Sequence, residues 1–194
     1  MCPTGPFAFL PIHAAGVYTS EKQTCFSDYA TISYTPTLEA LLNLPKLQPT
    51  LEGFKMLVVI EPGAGRHYLP ATVTELKQIK AHVPHEWLTA FGTHDSLSNV
   101  DQVTNSLSTT TFAHFACHGL QSDQHPLESA LILHDGQLKI SQIMEKPMQN
   151  ASLAFLSACE TAKGDKSTPD EVIHLSASLL FAGFSGVVGT MWYV

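Results

Sequence analysis

A histidine and a cysteine stand at the ends of two short apolar runs. Thr111-Phe112-Ala113-His114-Phe115-Ala116-Cys117 leads into His118-Gly119, and Ser152-Leu153-Ala154-Phe155-Leu156-Ser157-Ala158 leads into Cys159-Glu160-Thr161. Apolar runs of this length between loop-forming residues read as buried strands. As parallel neighbours, such strands would release His118 and Cys159 at one carboxyl edge, where open α/β sheets assemble their sites. A thiol attacks a carbonyl as its thiolate, which a nearby imidazole helps to generate. The resulting oxyanion needs aimed hydrogen-bond donors. The backbone N–H groups of Gly119 and Cys159 are candidates, and Gly119, lacking a Cβ, lets a substrate backbone come close. Spacing alone leaves open the commoner alternative that Cys159 is a buried structural thiol.

Strands must alternate with helices for that edge to exist, and the sequence has this rhythm. Strand candidates are Phe7–Leu10, Ala30–Tyr34, Lys55–Ile60, Trp87–Phe91, the two apolar runs above and Ser185–Trp192. Helices are expected after Thr37 (Leu38, Leu41, Leu42), over Ala71–Val83 (Val73, Leu76, Ile79) and around Val100, Val103 and Leu107. Leu131–Ile140 reads as a hairpin around Asp135-Gly136, followed by a short helix capped by Ser141. Thr168-Pro169-Asp170-Glu171 combines a cap, a first-turn proline and a capping-box glutamate, opening a helix that stops near Gly183. The expected fold class is α/β, with a mainly parallel sheet covered by helices on both faces.

The 194 residues suit one domain over 1–194 with a substantial core, and 44% hydrophobic against 14% charged residues indicates a folded globular chain. A net charge of −7, with Arg66 the only arginine, argues against nucleic acid or an anionic membrane as the main partner. Cys2, Cys25, Cys117 and Cys159 form no CxxC pair and no zinc spacing, which favours free thiols in a reducing compartment. No run reaches membrane-spanning length and no basic-then-apolar leader opens the chain. A cytoplasmic setting is therefore expected, with a nuclear one compatible.

Five blocks together resemble one family. They are Phe112 to Gly119, Pro126-Leu127-Glu128-Ser129-Ala130-Leu131, Leu153 to Ala162, Glu171-Val172-Ile173-His174-Leu175-Ser176, and Gly183 to Trp192. The opening Cys2-Pro3-Thr4-Gly5-Pro6 with Leu10 to Gly16 fits the same pattern, so the likeness spans nearly the whole chain. It is similar to CHAT domains, caspase-like modules also related to separase and usually joined to tetratricopeptide repeats. The resemblance implies a caspase-hemoglobinase fold. It also implies a cysteine endopeptidase acting on protein or peptide substrates, with His118 and Cys159 as the catalytic dyad and Gly119 at the oxyanion site. It further implies helical repeats in the parent chain, no metal and no organic cofactor. The glutamine-alanine-cysteine signature of caspases is replaced by Ser157-Ala158-Cys159-Glu160-Thr161, which leaves aspartate specificity open. The family continues past the Met191-Trp192 strand into a further helix, so the sequence reads as a domain lacking that C-terminal segment.

Two other functions remain as alternatives: a non-catalytic interaction module, and a thiol-dependent acyl hydrolase of small molecules. The remaining suggestive residues have plainer readings. His114 shares strand parity with His118 but reads as a satisfied core histidine, and Cys117 points to the opposite face as packing. A zinc site from His114, His118 and Cys159 is weakly supported. His174 is more simply a local partner of Glu171. Asp123, Glu128 and Asp135 could receive a basic substrate side chain, although solvated loop charge is the commoner role. Trp192 could line a pocket or cover the sheet. Gly63-Ala64-Gly65-Arg66 lacks the lysine of a phosphate loop and reads as a turn.

Overall fold

Met56-Leu57-Val58-Val59-Ile60 is apolar at every position and rich in β-branched residues, the pattern of a strand buried on both faces. It forms β3 (Met56–Ile60), the third strand in chain order and an interior strand of the main sheet. A computed structural model gives the fold and describes residues 1–19, 23–42, 53–63, 68–122, 125–146, 148, 150–157 and 175–190. Among these, β3 pairs in parallel with β4 (Leu88–Phe91) on one side and β5 (Phe112–Ala116) on the other. Beyond β5 lie β9 (Leu153–Leu156) and β10 (Gly186–Val188), also parallel. The order is β10-β9-β5-β3-β4, so the chain moves outward in one direction, then returns across β3 and builds in the other. The reversal falls between β3 and β5, and their carboxyl ends flank the crevice where open sheets of this kind place their sites.

Two helical layers cover the sheet, as the sequence led us to expect. On one face α2 (Ala71–His82) packs Leu76 and Ile79 against Met56, Val58, Ile60 and Ala116. Pro84 ends this helix by forcing the preceding Val83 into extended backbone (φ −109°, ψ 127°). On the other face α3 (Val100–Leu107), α4 (Ile140–Met144) and α5 (Leu175–Phe181) enclose the main core. Its centre is Leu57, Val59, Phe115, Leu156, Val103 and Leu179. The helix α5 ends in a reversal at Gly183 (φ +120°), where Phe184 N–H returns to the Leu179 carbonyl at 3.0 Å.

A smaller antiparallel sheet joins β6 (His118–Leu120), β7 (Ala130–Ile132) and β8 (Gln137–Lys139). The hairpin around Asp135-Gly136 is present, closed by Leu133 N–H to the Gly136 carbonyl at 2.8 Å. A third small sheet, β1 (Gly16–Tyr18) with β2 (Gln23–Cys25), is a pairing the sequence reading did not anticipate.

Several expectations are corrected. Phe7–Leu10 is not a strand: Gly5–Phe9 forms a 3-10 helix with proline in its first turn, a position where proline has no donor to lose. Ala30–Tyr34 carries no regular structure, since no strand among the described residues offers its backbone a ladder. Ser141 does not cap α4. The helix starts one residue earlier, at Ile140, and Gln142 Oε1 accepts the Lys139 N–H at 2.9 Å. Thr37 does cap α1 (Leu38–Leu42), its hydroxyl accepting the Ala40 N–H at 3.0 Å. The Thr168–Glu171 helix start, Glu171, His174, Met191 and Trp192 lie outside the described residues, as does Ala64–Arg66.

Candidate functional site

The strand β5 delivers its polar end to the crevice beside β3. Ala116 accepts a hydrogen bond from Glu61 N–H at 2.9 Å, and the chain then turns at Cys117 out of the large sheet. His118 opens β6 instead of lying on a loop, and its Cα partners Ile132 while Gly119 partners Leu131. Both His118 and Gly119 are partly exposed at this junction between the two sheets.

The register of the neighbouring strand is informative. Phe112, Ala113, His114 and Phe115 pair with Leu153, Ala154, Phe155 and Leu156, each pair 41 residues apart, and His118 and Cys159 have the same separation. Ser157 N–H continues the ladder to the Phe115 carbonyl at 2.8 Å. Cys159 itself lies outside the described residues, two positions beyond Ser157.

Cys117 faces the main core, 1% exposed, as its parity required. Burial, with the Glu61 carboxylate as a secondary cause, pushes its thiol up to about 12. It is a packing residue with no thiolate to offer at neutral pH. His114 is also buried. Its Nε2–H donates to Glu75 Oε2 at 2.8 Å, and its ring stacks on Phe155 with centroids 5.3 Å apart. The reading of His114 as a satisfied core histidine therefore holds.

Sequence reasoning missed Glu61, Ser98 and Glu75. Glu61 is the first residue after β3. Its Oε2 accepts the hydroxyl of fully buried Ser98 at 2.5 Å, and its Oε1 accepts Gly63 N–H at 3.2 Å. Ser98 also holds the loop before α3 to the hairpin, its carbonyl accepting His134 N–H at 3.1 Å. A lone carboxylate immediately after an all-apolar strand was the available signal for Glu61. Glu75 lay on a helix with nothing local to mark it.

Two of the acidic residues following His118, Asp135 and Glu128, have structural partners. Asp135 accepts Asn99 Nδ2–H and the first amide of α3, Val100 N–H, both at 2.9 Å. Those two bonds hold its carboxyl below the usual aspartate value. Asp135 is thus a helix cap supplied from the hairpin. Glu128 pairs with Lys139, and Asp123 lies outside the described residues.

A cavity of about 640 Å³ lies on the α2 face of the sheet, lined by Met56, Ile79, Phe112, Phe155, Glu75 and Ser157 among others. His118 does not line it. Cys2, Cys25 and Cys117 are free thiols. Among the described residues no three His, Cys, Asp or Glu side chains cluster as metal ligands, and no helix is long and apolar enough to cross a membrane.

No curated protein matches the chain. A family model does: the five-stranded parallel sheet, its crevice beside β5 and the His118-Gly119 edge accompany a match over residues 1–194 to the model described as the CHAT domain, and the chain belongs to that family of caspase-like, peptidase-related modules.

Proposed function

We propose that this domain is a cysteine endopeptidase of the caspase and separase type, working through His118 and Cys159 on protein or peptide substrates. The observation that carries the reading is the parallel β5–β9 register, whose offset of 41 residues equals the separation of the two residues. Adjacent strands run about 4.8 Å apart, and two residues reach at most about 7 Å from Ser157. That short reach from Ser157 supports a Cys159 thiol acting at the edge that His118 occupies.

The chemistry follows in two steps. Cys159 Sγ attacks the scissile carbonyl carbon as a thiolate, and the backbone N–H groups of Gly119 and Cys159 receive the oxyanion. The C–N bond breaks as His118 gives its proton to the leaving amine, producing an acyl-thioester. His118 then takes a proton from water, the hydroxide adds to the thioester, and the C–S bond breaks to release the acid and restore the thiolate beside protonated His118. Neither metal nor organic cofactor enters this route. Helical repeats elsewhere in the parent polypeptide are the proposed recruiters of substrate, in a cytoplasmic setting.

Labelling with a library of fluorescent peptidyl acyloxymethyl ketones tests the reading. Label should map to Cys159 and vanish in both Cys159→Ala and His118→Ala. A folded wild type that takes no label, or label persisting in Cys159→Ala, would overturn it.

One observation favours a second reading, a non-catalytic interaction module. On the α2 side of the sheet Phe155 and Val188 are 42% and 46% exposed, an apolar surface over β9 and β10 suited to a partner. Under this reading Cys159→Ala would leave partner binding unchanged.

A further inference from the structure

The carboxylate of Glu75 joins three elements at one point. Its Oε2 accepts His114 Nε2–H at 2.8 Å, and its Oε1 accepts the Ser157 hydroxyl at 3.1 Å. Glu75 is on α2, His114 on β5 and Ser157 at the end of β9. The two bonds span 39 and 82 residues of sequence. A carboxylate only accepts, so the His114 ring presents a protonated Nε2, and stacking on Phe155 of β9 fixes the ring plane. Along β5, His114 stands four residues before His118. Along β9, Ser157 stands two residues before Cys159.

We propose that Glu75 is a positioning residue that locks the carboxyl ends of β5 and β9 together and so sets the approach of His118 to Cys159. The strand ends need such a lock. Among the described residues the last rung between them is the bond from Ser157 N–H to the Phe115 carbonyl, and His118 departs into the small sheet. Among the described residues this corner stays open on the α2 face: Ser157 and Glu75 line the cavity, and Phe155 is exposed. Charge-assisted hydrogen bonds, stronger than neutral ones, take the place of core packing there. The consequence for chemistry rests on the dyad reading above; the mechanical coupling does not.

Two readouts on Glu75→Ala and Glu75→Gln separate these. Amide hydrogen exchange at Ser157 should accelerate about tenfold or more in Glu75→Ala, the worth of one charge-assisted bond, while Val58 and Val59 in β3 keep their wild-type protection. In labelling with a peptidyl acyloxymethyl ketone, the maximal rate of Cys159 modification should fall about tenfold with the reagent's half-saturation unchanged. Glu75→Gln, which keeps one acceptor and gains a donor, should recover part of both. Should Glu75→Ala fail to fold, Ser157→Ala removes one arm of the lock and should raise exchange at the 157 amide in the same direction. Unchanged exchange at position 157 in the folded variants overturns the proposal. So does a loss of protection spread evenly over β3, β5 and β9, because that marks general destabilisation. If the wild type itself shows no His118-dependent labelling, the peptidase reading fails separately, and the lock stands or falls on exchange.

Discussion

Cys117 and His118 are consecutive, yet they end up in different environments: the Cys117 thiol is sealed in the main core, while His118 emerges at the first position of the small antiparallel sheet. The turn between them lets one strand both complete the core and deliver a polar group to the crevice.

Cys117 should behave as an inert thiol. Iodoacetamide at pH 8 should modify the partly exposed Cys2 and Cys25 in the native protein and reach Cys117 only on unfolding, as read by peptide mass spectrometry. Its raised thiol value also has a thermodynamic sign. The unfolded chain releases this proton near 9.0 and the native state holds it to about 12. The contribution to stability is complete below pH 9 and is lost as pH climbs toward 12. Cys117→Ala should flatten that alkaline loss in a series of urea midpoints.

Asp135 should matter through α3. Asp135→Ala removes the acceptor for Val100 N–H and Asn99, and should lower the melting temperature at pH 7 by a few degrees. Its native carboxyl titrates below the ordinary value of 3.8, so its stabilisation is present above that pH and fades as pH falls through the depressed native value. The gap between wild type and variant should close on acidification below 3.8 when followed by circular dichroism.

Gly92 follows β4 in left-handed backbone (φ +93°), and a Cβ there would sit 1.6 Å from the Ile60 carbonyl oxygen. Only glycine lets the two strand ends approach so closely. Gly92→Ala must displace backbone at the carboxyl edge of β3. It should cost on the order of 3 kcal/mol in a denaturant titration, where an unchanged midpoint would contradict this close approach.

Phe115 is fully buried in the main core on β5. Phe115→Ala should destabilise the fold by about 3–5 kcal/mol, the usual range for emptying such a site, measured as a shift of the urea midpoint at constant slope.

The sequence by itself determined which segments became core elements. Met56–Ile60 was legible as a strand because five consecutive apolar residues need burial on both faces. The start of α1 was legible because Thr37 supplies an acceptor, whereas the expected Ala71–Val83 helix stops at His82 because Pro84 restricts Val83. The inward face of Cys117 followed from strand alternation, and His114 was read as a satisfied core histidine because that is the commoner role of a histidine in an apolar strand. Only the tertiary structure decided what those elements meet. That β5 lies between β3 and β9, with a 41-residue offset, depends on the path of the crossovers rather than on any local pattern. The same holds for Glu75 reaching Ser157 across 82 residues and for Asp135 capping a helix 35 residues earlier. Phe7–Leu10 misled for the converse reason: its apolar run looks like a strand, but a strand exists only where a neighbour accepts its hydrogen bonds. Local patterns fix each element's own dihedrals and its buried face, whereas a bond between distant residues requires both elements to be docked first.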